Sequence, residues 1–270
     1  MRAFELVRDW PVSTVAVAVI DHNDTLHVFG NTNAKFTLAS VSKVMTAWAT
    51  LIAVEDGSVS LDDEVGQPGC TLRHLLAHAG GYGFDSAEPI IGPGRKRVYS
   101  NTGYELIAEH VSNATQFAFA DFLNESVFQP LGMNTSELRG SAAKDVICRL
   151  DDLAIFLHEI RQPTLIARST FAESTSSQFL DLDGVVPGFG RFDPCPWGLG
   201  PELRGNKQPH WTATRNSSST YGHFGGSGTF AWVDPVANVA CCVLADREFG
   251  DWARTHWPKF GDAILTELGR

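Results

Sequence analysis

Two serines in this sequence stand three residues before a lysine: Ser40 before Lys43, in the stretch FTLASVSKVMTAWATLIAVEDG, and Ser141 before Lys144. A serine hydroxyl is a poor nucleophile near neutral pH and needs a base to take its proton. A lysine one helical turn away lies on the same face, and burial lowers its pKa so that it can serve as that base. Serine also favours the start of a helix, and both copies precede helical patterns. The spacing alone leaves a structural and a catalytic role open for each serine.

Two other short segments carry groups that such chemistry needs. The segment Tyr99–Asn101 (YSN) places a phenol and an amide on one loop before a helix, and it is the only Tyr-x-Asn sequence in the chain. The segment His223–Gly226 (HFGG) enters a strand, and its glycines allow another stretch of backbone to approach closely. A serine nucleophile needs a proton donor for the leaving group and an oxyanion hole, which these segments could supply. Taken separately, the first is typical of a helix start and the second of a turn.

The elements that must position these groups follow from the apolar patterns. An apolar helix begins after Ser40 and ends near Gly57, a residue type that favours the end of a helix. Another helix, over Asp251–Leu268, closes the chain. Valine-rich runs bounded by polar turns predict a hairpin near the start and a pair of strands near the end. These four strands are Thr14–Asp21, Thr25–Asn31, Thr229–Asp234 and Asn238–Ala245.

The middle of the chain differs, because residues 61–180 have mainly helical spacing, as in LRHLLAHAGG and GYELIAEHVSNA. The order of elements is therefore hairpin, buried helix, helical block, strands and helix. This order predicts an α+β protein of one domain, residues 1–270. Residues 1–60 and 181–270 would form an α/β subdomain with the sheet, and residues 61–180 a helical insertion subdomain. A cleft between the two is the expected place for a site.

The three segments occur in the order S-x-x-K, Y-x-N and H-x-G. They resemble the serine β-lactamase and penicillin-binding-protein family, and within it the branch of class C β-lactamases, D-alanyl-D-alanine carboxypeptidases and related esterases. The resemblance covers about residues 14–247 and implies the β-lactamase/transpeptidase-like fold, with an antiparallel sheet flanked by helices. It also favours Ser40 over Ser141, which follows Tyr99 and looks like a plain helix start. Other stretches similar to family segments, in family order, are SLDDEV, TLRHLLAHAGG, FQPLGM, WGLG and GHFGGSGTFAWVDP.

The resemblance implies a role for each motif residue. Ser40 would be the nucleophile and Lys43 its base. Tyr99 would carry the proton to the leaving group and help to activate the water. Asn101 would orient Lys43 and bind a substrate amide.

The resemblance also implies how substrate is held. The strand that closes the pocket would bind substrate through His223, Phe224 and Gly225. The backbone N–H groups of Ser40 and Gly226 would form the oxyanion hole. The implied reaction acylates Ser40 on an amide, ester or lactam of a small-molecule or peptide substrate and then hydrolyses the acyl-enzyme. It needs no metal and no organic cofactor.

Two residues of the third motif depart from many β-lactamases. His223 stands where these enzymes have lysine, and Phe224 stands where the family often has threonine. A histidine is only partly charged near neutral pH, and phenylalanine lacks the hydroxyl that would bind a substrate carboxylate. The sequence therefore predicts poor hydrolysis of β-lactams and faster turnover of short-chain esters. The alternative is a non-catalytic binding module with this fold, and the intact motifs argue against it.

Composition and length restrict the partners. The formal net charge of −10 makes nucleic acid an unexpected partner, and no run is long and apolar enough to predict a transmembrane helix. The first residues contain no continuous apolar stretch typical of a secretory signal. Five scattered cysteines without a C-x-x-C spacing suggest a reduced, cytoplasmic protein, with Cys241 and Cys242 on opposite faces of a strand. We expect a monomer without a membrane partner.

One pair of histidines could in principle bind a metal. His74 and His78 lie four residues apart in a helical pattern, but no third ligand stands near them in the sequence. Packing is therefore their expected role. The tryptophans and phenylalanines after Phe189 are expected to line the core or a cleft instead of a cofactor site.

Overall fold

The computed structural model describes all 270 residues. In chain order its strands are β1 (Val15–Ile20), β2 (Leu26–Gly30), β3 (Phe36–Thr37), β4 (Glu137–Leu138), β5 (Val146–Cys148), β6 (Gly184–Val186), β7 (Gly190–Phe192), β8 (Glu202–Leu203), β9 (Tyr221–Gly225), β10 (Thr229–Asp234) and β11 (Val239–Ala245). The longest, β1, β10 and β11, are rich in the β-branched and aromatic residues that pack well on a pleated, buried surface.

Eight α-helices accompany the strands: α1 (Ser42–Glu55), α2 (Leu72–Leu76), α3 (Thr102–Thr115), α4 (Phe119–Leu123), α5 (Gln129–Leu131), α6 (Leu150–Arg161), α7 (Arg168–Ser174) and α8 (Asp251–Glu267). Short 3₁₀-helices form over Arg2–Asp9 and Ala39–Val41, and a π-helical turn over Asn124–Phe128 joins α4 to α5. None of the helices is both long and apolar enough to cross a membrane.

Six strands form one antiparallel sheet in the order β2-β1-β11-β10-β9-β8. Strands from the two ends of the chain meet in it, because β1 pairs with β11 from Val15 opposite Ala245 to Ile20 opposite Ala240. The predicted hairpin and the predicted strand pair near the end of the chain are both present. The predicted α+β fold class is confirmed, and the division into two subdomains remains a prediction.

Helices cover both faces of this sheet. Helices α1 and α6 share one apolar core with one face, and α8 shares a second core with the other. Alternate residues of a strand point to opposite faces, so Cys242 packs in the first core and Cys241 in the second, as predicted. All five cysteines are buried and free.

Helix α1 is buried nearly all round, as its apolar sequence predicts. Two buried polar side chains tie it to the helical block: Trp48 donates to the Glu159 carboxylate at 3.0 Å, and Thr46 donates to the Ala142 carbonyl at 2.7 Å. Gly57 follows the helix with φ +80°, the left-handed conformation that glycine adopts without strain. Helix α1 is thereby fixed inside the protein.

Two local predictions were wrong, and one element was not predicted. Helix α2 ends at Leu76, so His78 does not share a helix with His74; the chain turns at His78, where φ is +53°. Ser141 starts a turn that leads into β5 and no helix, because Asp145 accepts the Ser141 N–H and closes the turn. The hairpin of β6 and β7 was not predicted, because Gly and Pro dominate its sequence.

Candidate active site

Ser40 lies in the 3₁₀ turn that leads into α1. The preceding residue, Ala39, has φ +46°, an uncommon conformation that is often found where a functional site fixes the backbone. Strand β9 approaches this turn so closely that a Cβ on Gly225 would lie 2.3 Å from the Leu38 carbonyl oxygen. The Thr229 hydroxyl donates to the same carbonyl at 2.7 Å. Position 225 therefore requires glycine if the sheet is to support the turn that carries Ser40.

The Lys43 side chain is buried beside Ser40. Its Nζ lies 3.4 Å from Ser40 Oγ, and it donates to Asn101 Oδ1 at 2.6 Å and to the Ala143 carbonyl at 3.0 Å. Burial lowers the pKa of Lys43 from 10.5 to about 7, and more distant carboxylates offset only part of this. An uncharged amine has two N–H groups, and these two acceptors take both. The remaining lone pair is then available to the Ser40 hydroxyl.

Tyr99 reaches the same serine from the loop before α3. Its Oη lies 3.4 Å from His223 Nε2, and the Ser40 hydroxyl is near enough to lower the pKa of the phenol. Burial raises the pKa of Tyr99 by more than the nearby Ser40 hydroxyl lowers it, so the phenol keeps its proton near neutral pH. The phenol can therefore donate a proton where the amine of Lys43 can accept one.

His223 is an uncharged acceptor. Its Nδ1 lies 2.7 Å from the carbonyl oxygen of Phe224, so Nδ1 donates and Nε2 carries the lone pair that faces Tyr99. Burial, together with the nearby Lys43, lowers the pKa of His223 to about 4. The sequence led us to expect a partly charged imidazole; in the folded protein the ring is neutral near pH 7.

The Asn101 amide is held in one orientation. Its Oδ1 accepts from Lys43, and its Nδ2 donates to the Asp85 carboxylate at 2.9 Å. The side chain is buried and does not line the cavity described next. Asn101 is therefore hydrogen-bonded to Lys43, while its roles in orienting Lys43 and in binding a substrate amide remain predictions.

A cavity of about 190 Å³ opens over Ser40. Five predicted site residues line it, whereas Lys43 lies beneath it and Gly225 behind its wall. A cavity of about 470 Å³ beside Arg204 is larger, but none of the motif residues lines it. The smaller cavity is therefore the candidate active site. The lining residues of the smaller cavity are Ser40, Phe84, Tyr99, Val186, Pro187, Gly188, Trp197, His223, Phe224, Gly226 and Phe249.

Gly226 follows β9 at the edge of this cavity. Its carbonyl accepts the Phe249 N–H at 2.8 Å, which fixes the peptide, and its own N–H donates to no group of the protein. A free N–H near the nucleophile is what an oxyanion hole requires. The role of Gly226 and of the Ser40 N–H in such a hole stays a prediction.

The other candidates from the sequence lie apart from this site. Ser141 donates its hydroxyl to the Glu105 carboxylate near the surface. His74 accepts the Thr71 N–H through Nδ1 at 3.2 Å as part of the helix cap. No group of three or more His, Cys, Asp or Glu side chains is placed to hold a metal ion.

Sequence reasoning missed several supporting residues, among them Asp85, His78 and a buried ionic group that we name the Glu202 cluster, formed by Glu202, Lys207, His210 and Trp211. The carboxylate of Glu202 accepts from Lys207 at 2.8 Å, from His210 at 3.1 Å and from Trp211 at 2.7 Å. Burial alone would raise the pKa of Glu202, but Lys207 and His210 hold it well below its usual range. Glu202 lies in the two-residue strand β8, and the rest of its cluster and Asp85 lie in loops, so no periodic sequence pattern indicates them. His78 lies in the turn that ends α2.

Comparison with known proteins shows the family of this chain. A model of the Beta-lactamase family matches residues 7–264. A penicillin-binding protein of Bacillus subtilis (strain 168) is 28% identical over 203 residues, which are 60% of this chain and 45% of that protein. This chain thus spans less than half the length of that relative.

Two solved structures are similar to the whole chain. A beta-lactamase from Mycobacterium bovis is 44% identical with a TM-score of 0.97, and the match covers 98% of this chain and 99% of that one. The octameric penicillin-binding protein homologue from Pyrococcus abyssi is 18% identical with a TM-score of 0.76, covering 98% of this chain and 76% of that one. At that identity the second likeness concerns the fold alone.

Proposed function

Because this chain belongs to the beta-lactamase family, whose members are serine hydrolases, we propose that it hydrolyses small uncharged esters through an acyl-enzyme on Ser40. The observation that carries the proposal is the position of the Lys43 amine, 3.4 Å from Ser40 Oγ and with both of its N–H groups occupied. A base beside the hydroxyl is what a serine nucleophile needs.

In the first half of the reaction, Ser40 Oγ attacks the ester carbonyl carbon and its proton passes to the Lys43 amine. The carbonyl oxygen becomes an oxyanion, which the N–H groups of Ser40 and Gly226 stabilise. The C–O bond to the alcohol then breaks. Tyr99 gives the departing alkoxide a proton and takes one back from the Lys43 ammonium, so both groups return to their starting states.

In the second half, water replaces the alcohol. Tyr99 and Lys43 together accept a proton from the water as its oxygen attacks the acyl carbon. The bond between the acyl carbon and Ser40 Oγ breaks, and the serine oxygen recovers a proton. The products are a carboxylic acid and the free enzyme.

The cavity wall supports the choice of an uncharged ester. Penicillins, cephalosporins and peptide C-termini carry a carboxylate, which requires a cation or a hydroxyl near the third motif. His223 is neutral there because burial lowers its pKa to about 4, and Phe224 offers only a ring, which packs 4.8 Å from the ring of Phe249. An acyl group without charge fits such a wall, because burying a carboxylate without a partner is costly.

The names of the relatives supply the second candidate, because one solved relative is a beta-lactamase and the curated relative is a penicillin-binding protein. Turnover of p-nitrophenyl acetate should therefore be compared with that of a penicillin and a cephalosporin. We expect a higher kcat/KM for the ester. Equal or faster hydrolysis of the cephalosporin would replace the ester proposal with a β-lactamase.

Labelling tests the nucleophile itself. After exposure to a fluorophosphonate, peptide mapping by mass spectrometry should find the adduct on the peptide that contains Ser40. Ser141→Ala is the matched control and should label like the wild type. A protein that neither takes the label nor turns over any of these substrates would be the non-catalytic binding module.

A further inference from the structure

His78 occupies a backbone conformation that residues with a side chain seldom adopt. Its φ is +53°, its N–H bonds to the Leu75 carbonyl at 3.1 Å, and the Ala79 N–H bonds to the His74 carbonyl at 2.7 Å. This is the Schellman arrangement at the end of helix α2, in which the left-handed position normally carries glycine or asparagine. A histidine there is strained, and strain of this kind persists where the side chain has a function.

His78 also forms hydrogen bonds with both chain neighbours of Tyr99. The His78 carbonyl accepts the Val98 N–H at 2.8 Å, and His78 Nδ1 accepts the Ser100 N–H at 3.2 Å. The imidazole also packs against the phenol, with 4.4 Å between the ring centroids. The backbone on each side of Tyr99 and one face of its ring therefore depend on His78.

The hydrogen bond to Ser100 decides where the ring hydrogen of His78 lies. Because Nδ1 accepts, the hydrogen of the neutral ring is on Nε2. Nε2 is buried and has no hydrogen-bond partner in the protein, and the rings of Trp197 and Tyr104 lie 4.9 and 5.2 Å from the imidazole. A buried N–H without a partner is a second cost at this position, which again indicates a function.

Burial and the neighbouring groups keep the His78 imidazole neutral. Burial lowers its pKa well below the usual value, and three neighbouring cations or potential cations act in the same direction, with only one carboxylate opposing them. A second ring proton would also remove the acceptor for the Ser100 N–H. The groups that lower the pKa are Lys43, His223 and Arg97, and the group that opposes them is Glu202.

We infer that His78 is a positioning residue for Tyr99: as the Nε2–H tautomer it fixes the Val98–Ser100 backbone and the phenol ring so that the Tyr99 hydroxyl stays within reach of Ser40. His78 touches neither the substrate nor the reacting atoms. The inference rests on the proposed function, in which Tyr99 carries a proton.

Two variants separate the parts of this role. His78→Asn keeps an acceptor where Nδ1 stands and tolerates the left-handed backbone, whereas His78→Phe keeps a ring and removes the acceptor. For p-nitrophenyl acetate we expect His78→Phe to lower kcat by about a hundred-fold with little change in KM, the scale of a small misplacement of a catalytic group. His78→Asn should recover most of that loss. His74→Asn, a change to the other histidine that caps α2, is the matched control and should keep the wild-type kcat.

A double-mutant cycle distinguishes positioning from general stability. In a Tyr99→Phe background the hydroxyl is already gone, so His78→Phe should lower kcat by no more than about threefold. A purely structural role would give the same loss in both backgrounds, and that result would overturn the inference. If Tyr99→Phe alone keeps full activity, the proton role in the proposed function is wrong as well. If Tyr99→Phe loses activity while His78→Phe does not, only the role of His78 is wrong.

Nuclear magnetic resonance gives a readout that needs no turnover. In the ¹⁵N-labelled protein we expect the His78 ring to show the Nε2–H tautomer and no titration between pH 5 and 8. The ring signals of Tyr99, identified from Tyr99→Phe, should move in His78→Phe and much less in His78→Asn. An Nδ1–H tautomer, a titration near the ordinary histidine pKa, or unmoved Tyr99 signals would each contradict the inference, even if the protein hydrolysed no ester.

Discussion

Two lysines are buried in this protein, and the groups that surround them differ. Lys43 has no carboxylate beside it; its Nζ donates to an amide oxygen of Asn101 and to a backbone carbonyl, and burial lowers its pKa to about 7. Lys207 lies 2.8 Å from the Glu202 carboxylate and also donates to the Pro196 carbonyl at 3.1 Å. Both side chains are almost completely excluded from water.

The difference shows that burial alone does not make a base. A buried ammonium next to a carboxylate is an ion pair, whose partners keep each other charged. A buried amine surrounded by neutral acceptors loses its proton more easily, because those acceptors stabilise its charge less. The ion pair of Lys207 packs behind Trp197, whose ring lies 5.8 Å from Lys207 Nζ. The amine of Lys43 lies directly beside Ser40.

The largest expected effect on kcat comes from removing the Ser40 hydroxyl, which the Lys43 amine faces. Ser40→Ala removes the nucleophile and should lower kcat for p-nitrophenyl acetate by about a million-fold, the scale found for other serine nucleophiles. Thermal unfolding should change little, because Ser40 is only partly buried. Steady-state kinetics and a melting curve on the same preparation measure both.

Ser141→Ala is the control, since the second serine–lysine pair lies outside the cavity. Residual activity above about one per cent in Ser40→Ala would mean that another residue is the nucleophile and that Lys43 is not its base.

The second prediction concerns the Lys207 side. Lys207→Met leaves Glu202 buried with one cation fewer, and removing one partner of a buried pair costs about 3–5 kcal/mol in the free energy of unfolding. Denaturant unfolding should show that loss. The kcat of the folded fraction should stay near the wild-type value, because Lys207 donates to no group of the motifs.

Replacing the pair instead of breaking it provides the control. In Lys207→Met with Glu202→Gln no uncompensated charge remains, so the double variant should be more stable than Lys207→Met alone. A double variant that is less stable than the single one would mean that Glu202 is held mainly by His210 and Trp211.

The surroundings of Lys43 and of Lys207 also differ in how much of them the sequence predicts. Ser40, Lys43 and Tyr99 follow a spacing rule and a family order, so the amino-acid sequence alone is enough to name them. The four long strands and helix α1 can be named as well, because periodicity and β-branched runs are local signals. The sheet then brings the two ends of the chain together as the α+β order predicts.

The Glu202 cluster, Asp85 and His78 could not be predicted in the same way. Glu202 and Asp85 act through partners that the fold brings together from loops, and no local pattern marks such a partner. The pattern LRHLLAH continues a helical period and so predicts that His78 shares a helix with His74, but the left-handed turn at His78 ends the helix first. The neutral state of His223 likewise depends on burial, which its sequence position does not reveal.

The third prediction concerns the effect on kcat of removing Lys43 and Tyr99, singly and together. Lys43→Ala and Tyr99→Phe should each lower kcat by about a hundred-fold or more, the scale of lost general acid–base catalysis. Because the two groups pass one proton between them, the double variant should fall well short of the product of the two losses. Tyr99→Phe keeps the ring and deletes only the hydroxyl.

Combining Lys207→Met with Tyr99→Phe supplies the matched control, since these residues share no proton and their effects on kcat should multiply. Near-normal activity of Tyr99→Phe would reduce Tyr99 to a wall of the cavity. Cleanly multiplying losses for Lys43→Ala and Tyr99→Phe would rule out a shared proton.

The smallest predicted effect is the change of kcat/KM with each pH unit. It tests whether the Lys43 amine acts as the base. If Lys43 acts as the base, kcat/KM should rise about tenfold per pH unit below pH 7 and level off above it, because the amine loses its proton near pH 7. Tyr99, whose pKa is raised, and His223, with a pKa of about 4, should not titrate in that range.

The same pKa has a consequence for stability, with a definite sign. The folded-state pKa of Lys43 lies below its unfolded value of 10.5, so between about pH 7 and 10.5 the unfolded chain binds more protons than the folded one. The stability of the wild type relative to Lys43→Met should therefore rise by about 1.4 kcal/mol per pH unit across that window and fall again as the pH returns to 7. Denaturant titrations of the wild type and Lys43→Met at pH 7, 8 and 9 measure this slope, and a stability difference that does not change with pH would mean that the surroundings of Lys43 do not set its protonation.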